Sequence, residues 1–197
     1  LDLKTLFKLH WGGKIHGEEY ERLVREEFRP RLERMKAAAI AGGWLTPRFI
    51  YGYFPVQSEG ETVIIYDPAD PARELARMTF PRQPDRERLC LADYFRPVSA
   101  GERDVISFQV VTVGEHADEL VERLQQAGEY AEAYFTHGLA VQTAEALAEY
   151  AHRHTLRELG LPTTRGRRCA WGYPACPDLD QHATVWRLLP VQDSIGV

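Results

Sequence analysis

The segment Arg168-Cys-Ala170-Trp-Gly172-Tyr173-Pro174-Ala175-Cys176-Pro177 concentrates more chemically useful groups than any other stretch of the chain. A guanidinium offers a rigid fork of donors that matches a carboxylate. Gly172 carries no side chain, so backbone there can approach a ligand closely, and the backbone polar groups around Ala170 are expected to be exposed. Trp171 and Tyr173 present aromatic faces suited to a cation. By residue type alone the string reads equally well as a ligand loop and as a rigid turn packed on the core. Spacing does not decide between them.

Other constellations are weaker. Glu149-Tyr-Ala-His152 is an E-x-x-H on a helix, half of a carboxylate-bridged di-iron site, but that site needs a second copy and further glutamates, and the chain has no second copy. Glu145, Glu149 and His152 share one helical face, for which a solvated charged stripe is the default. Asp180-Gln-His182 begins a D-x-H-x-x-G signature, yet Val185 stands where glycine is required. Neither G-x-G-x-x-G nor a P-loop occurs, and Gly12-Gly13 and Gly42-Gly43 are isolated pairs, so a Rossmann-type enzyme is disfavoured. No serine sits in a G-x-S-x-G elbow, and Cys169 and Cys176 lack a local base, which leaves a hydrolase reading without support. No catalytic acid, base or nucleophile is assigned.

The 197 residues suit one domain, read as spanning 1–197. A composition of 44% apolar and 27% charged residues is that of a soluble globular protein, and no run approaches the roughly 18 apolar residues of a membrane span. Net charge is −5, and of the 24 basic residues only Lys4, Lys8, Lys14 and Lys36 are lysine, a balance that opposes nucleic-acid binding by counterion release. Cys90, Cys169 and Cys176 form no CxxC pair, which fits reduced thiols in a cytoplasmic setting and no structural metal. The start at Leu1, with neither initiator methionine nor signal peptide, reads as an internal boundary of a longer polypeptide.

The elements that must position these groups follow from periodicity. An apolar opening segment, Leu3 to Trp11, ends at Gly12-Gly13, and a helix is expected from Glu18 to about Ala41, with Tyr20, Leu23, Val24, Phe28, Leu32, Met35 and Ile40 on its buried stripe and an interruption at Pro30. Phe49–Phe54, ending at Pro55, then Thr62–Tyr66, Leu75–Phe80 and Val105–Val113 are of strand type. No crossover helix fits between the second and third, so a mainly antiparallel sheet is expected. From Asp118 to about Leu159 the pattern is helical, with bends at Gly128 and His137-Gly138 and a stripe of Ala140, Ala144, Leu147 and Ala151. The fold class is α+β. After Gly160 the chain is irregular and rich in Pro, Gly and aromatics through Pro177, where function is most reasonably sought.

The Arg168–Pro177 string closely resembles the R-x-x-x-G-Y-P-A-C-P motif of the S-adenosylmethionine-binding activation domain of cobalamin-dependent methionine synthase. The likeness runs the length of the chain: Asp2 to Phe7 through Trp11 and Gly13-Lys14 resembles the family's opening, Gly52-Tyr-Phe54-Pro55 its G-x-F-P strand end, and Cys90-Leu-Ala-Asp93-Tyr94 its C-L-A-D-[FY] element. Ala144 to Tyr150 followed by His152 resembles its long helix, and Ala183-Thr184-Val185-Trp186 the stretch after the signature.

The resemblance implies a C-shaped α+β domain around a bent, mainly antiparallel sheet flanked by helices. It further implies a reactivation module that presents S-adenosylmethionine as methyl donor for reductive remethylation of cob(II)alamin held by a neighbouring domain, with an electron from flavodoxin or an equivalent reductase. Chemistry of that kind asks this chain only for alignment and recognition, which accords with its lack of a catalytic constellation. On the matching positions, Arg168 is expected to hold the ligand carboxylate, and backbone at Ala170 and around Gly172-Tyr173 to meet the adenosine portion. Asp2 and Glu145 are the carboxylates expected near the ligand's cationic groups or adenine amine. The sequence departs from the family in a shorter stretch before Arg168, with Leu161-Pro162-Thr163-Thr164 where some members carry a glutamate, and in stopping at Val197 before a serine- and glycine-rich segment. Two rival readings are a non-catalytic module that docks on the cobalamin domain or flavodoxin without ligand, and a standalone reactivase of another corrinoid protein.

Overall fold

The computed structural model describes residues 1–84 and 87–197. They form two compact units, one of Leu1–Phe49, Val111–Ala151 and Ile195–Val197, the other of Ile50–Val110 and His152–Ser194.

The first unit is helical. Asp2 caps α1 (Leu3–Thr5): its carboxylate accepts from the Lys4 and Thr5 N–H groups at 3.0 and 3.2 Å and from the Thr5 hydroxyl at 2.7 Å. The chain then widens into a π-type turn over Leu6–His10. Further on, α2 (Gly17–Leu23) passes through a second π-type stretch, Val24–Phe28, into α3 (Arg29–Gly42). Pro30 accounts for that stretch physically. A proline has no N–H to donate and its ring crowds the carbonyl four residues earlier, so a ladder widened just before it, with Arg29 N–H bonded to the Val24 carbonyl, lets the helix continue. The expected interruption is therefore a local widening, and α3 ends at Gly42 as the glycine pair implied.

The stripe of that helix packs on Trp11. Val24, Phe28, Leu32, Met35 and Ala39 are buried, but Ile40 is 85% exposed. One residue turns a helix by about 100°, so the stripe that runs 28, 32, 35, 39 leaves position 40 facing water. The Trp11 ring lies 5.4 Å from Phe7, 5.5 Å from Phe28 and 5.2 Å from Phe135, and its indole N–H donates to the Phe135 carbonyl at 3.0 Å. Two helices follow, α4 (His116–Gln126) and α5 (Tyr130–Glu158), separated near Gly128 as expected. No bend occurs at His137-Gly138. Gly138 serves close approach instead, since a Cβ there would stand 2.9 Å from Trp11 and 3.1 Å from His10.

The sheet comprises β1 (Arg48–Glu59), β2 (Thr62–Tyr66), β3 (Glu74–Thr79) and β4 (Asp104–Thr112), in the order β3-β2-β1-β4. Both β1–β2 and β2–β3 are antiparallel, as expected, with Val56 opposite Ile65 and Val63 opposite Met78. Contrary to expectation, β1 does not stop at Pro55. The β1–β2 ladder begins at Val56, so the proline, which cannot donate, precedes the pairing with β2. Val56, Val63 and Ile65 are wholly buried. Two short helices, α6 (His182–Leu188) and α7 (Val191–Ile195), close the chain, and a Cβ on Gly52 would meet Leu189 of the same unit at 2.8 Å.

The segment after β3 shows what the Cys90–Tyr94 element does structurally. The buried Cys90 thiol donates to the Phe80 carbonyl at 3.2 Å, and Arg82 grips Asp93 with two hydrogen bonds of 2.6 and 2.7 Å. That pairing holds the Asp93 carboxyl below the ordinary carboxylate range. Among the described residues no helix is long and apolar enough to cross a membrane.

Candidate functional site

Arg168, Ala170, Gly172 and Tyr173 lie on one loop of the second unit, after α5 and before α6. Arg168 is exposed, and Tyr173 is 64% exposed, high for a tyrosine in an ordered turn. The loop is shaped by its own backbone: Gly172 N–H donates to the Cys176 carbonyl and Cys176 N–H to the Tyr173 carbonyl, both at 2.9 Å. Gly172 has φ +88°, a left-handed conformation that a side chain would strain. At Ala170 the structure refines the expectation of exposed backbone: the residue is half-buried and its carbonyl accepts from the Cys176 thiol at 2.9 Å.

Trp171 fastens the loop to the sheet. Its ring stacks against Phe108 of β4 at 6.2 Å and 29°, and its indole N–H donates to Gln181 at 3.3 Å. Gln181 in turn donates to the Thr79 carbonyl at the end of β3, at 2.7 Å. Asp178 accepts from Asp180 N–H at 3.0 Å and starts the short turn of Leu179–Gln181. The His182 ring lies 5.4 Å from Trp171 and 5.9 Å from Trp186, so an exposed histidine edges two indoles. Tyr173 and Leu179, both largely exposed, lie in the same segment.

The two predicted carboxylates belong to the first unit. Asp2 is the cap of α1, and its hydrogen bond from the Thr5 side chain lowers its pKa. Glu145 is exposed on α5, while Glu149 and His152 are half-buried, so the acidic face of that helix is not uniformly solvated.

Sequence reasoning missed two features. The first is Cys176, passed over because no base accompanies it. Burial pushes its thiol up to about 11, so at neutral pH it is a neutral donor and not a nucleophile. The second is a cluster of Tyr51, Tyr53, His154 and Glu158 in the second unit. Tyr51 hydroxyl and His154 Nε2 are 2.9 Å apart, and Tyr53 donates to Glu158 at 2.7 Å. Burial, then Glu158, raises the Tyr53 pKa, and the Tyr53 and Tyr51 hydroxyls lower that of Glu158. The i, i+2 spacing of the tyrosines and the i, i+4 spacing of His154 and Glu158 were legible as shared faces. Their partnership was not. Among the described residues no group of three or more His, Cys, Asp or Glu side chains is placed to hold a metal ion.

Comparison with known proteins supplies the context. Residues 14–197 match the family model described as vitamin B12 dependent methionine synthase, activation domain. The chain is 37% identical over 226 residues to methionine synthase of Mycobacterium tuberculosis and 35% identical over 226 residues to that of Mycobacterium leprae. All of this chain is covered in both cases, but it spans only 19% of each relative's length. Among solved structures it is similar to the MetH reactivation domain bound to AdoHcy, with a TM-score of 0.82 and 28% identity, over 98% of this chain and 66% of that one.

Proposed function

Because the chain belongs to the family of vitamin B12-dependent methionine synthase activation domains, we propose that it binds S-adenosylmethionine and presents it as methyl donor to a cobalamin carried by another domain of a methionine synthase. The observation that carries this reading is the construction of the signature loop. Its turn, thiol bond and indole anchor lie within the second unit, and Arg168 and Tyr173 stand at its exposed surface.

The residues fit such a ligand by their chemistry. S-adenosylmethionine supplies an activated methyl on a sulfonium, together with a carboxylate, an ammonium and an adenosine. Arg168 binds the carboxylate through its planar fork. Backbone at Ala170 and around Gly172-Tyr173 receives the adenosine, in a segment whose peptide planes are already fixed. Preorganisation of that kind lowers the ordering cost of binding and holds the donor in one orientation, which is this chain's share of the reaction. For Asp2 and Glu145 the proposal is charge complementarity to the ammonium and sulfonium, tested one residue at a time by substitution to the amide. Asp2→Asn suits that purpose because asparagine also caps helices well. The remaining elements of the reading are work in the cytoplasm, partnership with a cobalamin-binding domain and delivery of the electron by flavodoxin or an equivalent reductase.

Calorimetric titration of S-adenosylmethionine into the 197-residue chain tests the core claim. Saturable binding is expected, weakened by about 1.5 to 3 kcal/mol in Arg168→Ala through loss of a charge-assisted pair. Unchanged affinity in that variant would remove Arg168 from the site, and a folded chain that binds nothing would move the function to docking.

A further inference from the structure

We propose that Cys176 is the positioning residue of the signature loop: its thiol, by donating to the Ala170 carbonyl, fixes the peptide plane that the loop offers to the adenosine of S-adenosylmethionine. The inference rests on the ligand reading above and adds to it a residue that touches no ligand itself.

Cys176 is 3% exposed in a segment whose neighbours Tyr173, Pro174 and Pro177 are all exposed. Three hydrogen bonds converge on it. Its N–H reaches Tyr173, its carbonyl accepts from Gly172, and its thiol reaches Ala170, each at 2.9 Å. Those partners are the three backbone positions assigned to the adenosine. Any residue other than proline could make the two backbone bonds, so the thiol bond is the part that depends on the side chain. It also closes the loop on the far side of Gly172, whose φ of +88° turns the chain back toward Ala170.

The thiol stays a donor under working conditions, because burial pushes it up to about 11. A contrast lies elsewhere in the same unit. Cys90 is equally buried and donates to the Phe80 carbonyl at 3.2 Å, but in a segment assigned no ligand contact. If a buried thiol-to-carbonyl bond only stabilised the fold, the two cysteines would behave alike.

Four variants of the 197-residue chain separate the possibilities: Cys176→Val, which keeps apolar volume and removes the donor, Cys176→Ser, which keeps a donor, Cys176→Ala, and Cys90→Val. For each, thermal midpoint, S-adenosylmethionine affinity and amide hydrogen exchange of the Gly172 and Cys176 N–H groups in the free chain are measured. Cys176→Val and Cys176→Ala are expected to weaken binding roughly fivefold to tenfold and to speed exchange at those two amides, with Cys176→Ser restoring both to within about twofold of the parent. Cys90→Val is expected to lower the midpoint and leave affinity unchanged. Folded Cys176→Val with parental affinity and exchange overturns the proposal, as does a Cys176→Ser variant no better than Cys176→Val. Should Cys176→Val not fold, Cys176→Ala set against Cys176→Ser decides the question in the same way. A folded parent chain that does not bind S-adenosylmethionine overturns the ligand reading instead, and exchange in the free chain then judges the loop claim by itself.

Discussion

Trp11 and Trp171 perform opposite tasks with the same side chain. Trp11, 3% exposed, is enclosed by Phe7, Phe28 and Phe135 and donates its indole N–H to the Phe135 carbonyl, so that helices of the first unit are organised around it. Trp171 is half-buried, with one face on Phe108, its N–H on Gln181 and a histidine at its edge. Burial on all sides makes a residue a term in folding free energy. Burial on one side makes it an anchor, which transmits the rigidity of a sheet to a segment that must stay open to solvent.

The contrast is tested most severely at Trp11. Trp11→Ala removes a large ring from a close-packed cluster and takes the indole hydrogen bond from the Phe135 carbonyl, so a loss of about 3 to 5 kcal/mol is expected in chemical denaturation. Trp171→Ala is expected to cost less, about 1 to 3 kcal/mol, because one face is already wet. It should nevertheless weaken S-adenosylmethionine binding more than a stability-matched substitution in the first unit away from Asp2 and Glu145. Equal losses of stability in the two variants, with affinity untouched by the second, would erase the distinction.

The smallest effect concerns pH and identifies what else holds the second unit together. Glu158 is held below its ordinary range by hydrogen bonds from Tyr53 and then Tyr51, so its contribution is fully present above about pH 4.3 and is lost as pH falls through its lower folded value. Tyr53 is shifted upward by burial and by Glu158, so its contribution is present below about pH 10 and is lost as pH rises beyond it. In Tyr53→Phe, stability should fall less steeply with acid below about pH 5 and less steeply with alkali above about pH 10 than in the parent chain. Parallel pH profiles of denaturation midpoint for the two proteins would show that this cluster contributes nothing to the titration. Asp93, gripped by Arg82, should give the parent chain a further acid-side loss that Tyr53→Phe leaves unchanged.

Much of the architecture was legible because it is local. Glycine pairs mark helix ends, β-branched and aromatic runs mark strands, and the spacing of Phe28, Leu32 and Met35 marks a stripe, each requiring only neighbours in sequence. The resemblance read from Arg168–Pro177 was legible because seven positions of constrained type fall within ten consecutive residues of one loop, and the family match over residues 14–197 agrees with it. What periodicity misjudged were positions where a distant partner decides. Ile40 fits an apolar stripe by type but faces water, and Gly138 has the composition of a bend yet sits in an unbroken helix because Trp11 needs the space of its missing side chain.

Residue order and type were enough to set the α+β class, the main helices and strands before Gly160 though not α6 and α7 after it, and the chemistry available at the signature: a cation for a carboxylate, a glycine for close approach, aromatic rings. Which of those groups are engaged in the fold and which face solvent was settled by tertiary contacts and by nothing else. The Cys176 thiol, the Trp171 indole and the Ala170 carbonyl are engaged within the second unit, whereas the Tyr173 ring is largely exposed. The physical reason is that residue type fixes what a polar group can donate or accept, but only its neighbours in space fix whether that capacity has already been used.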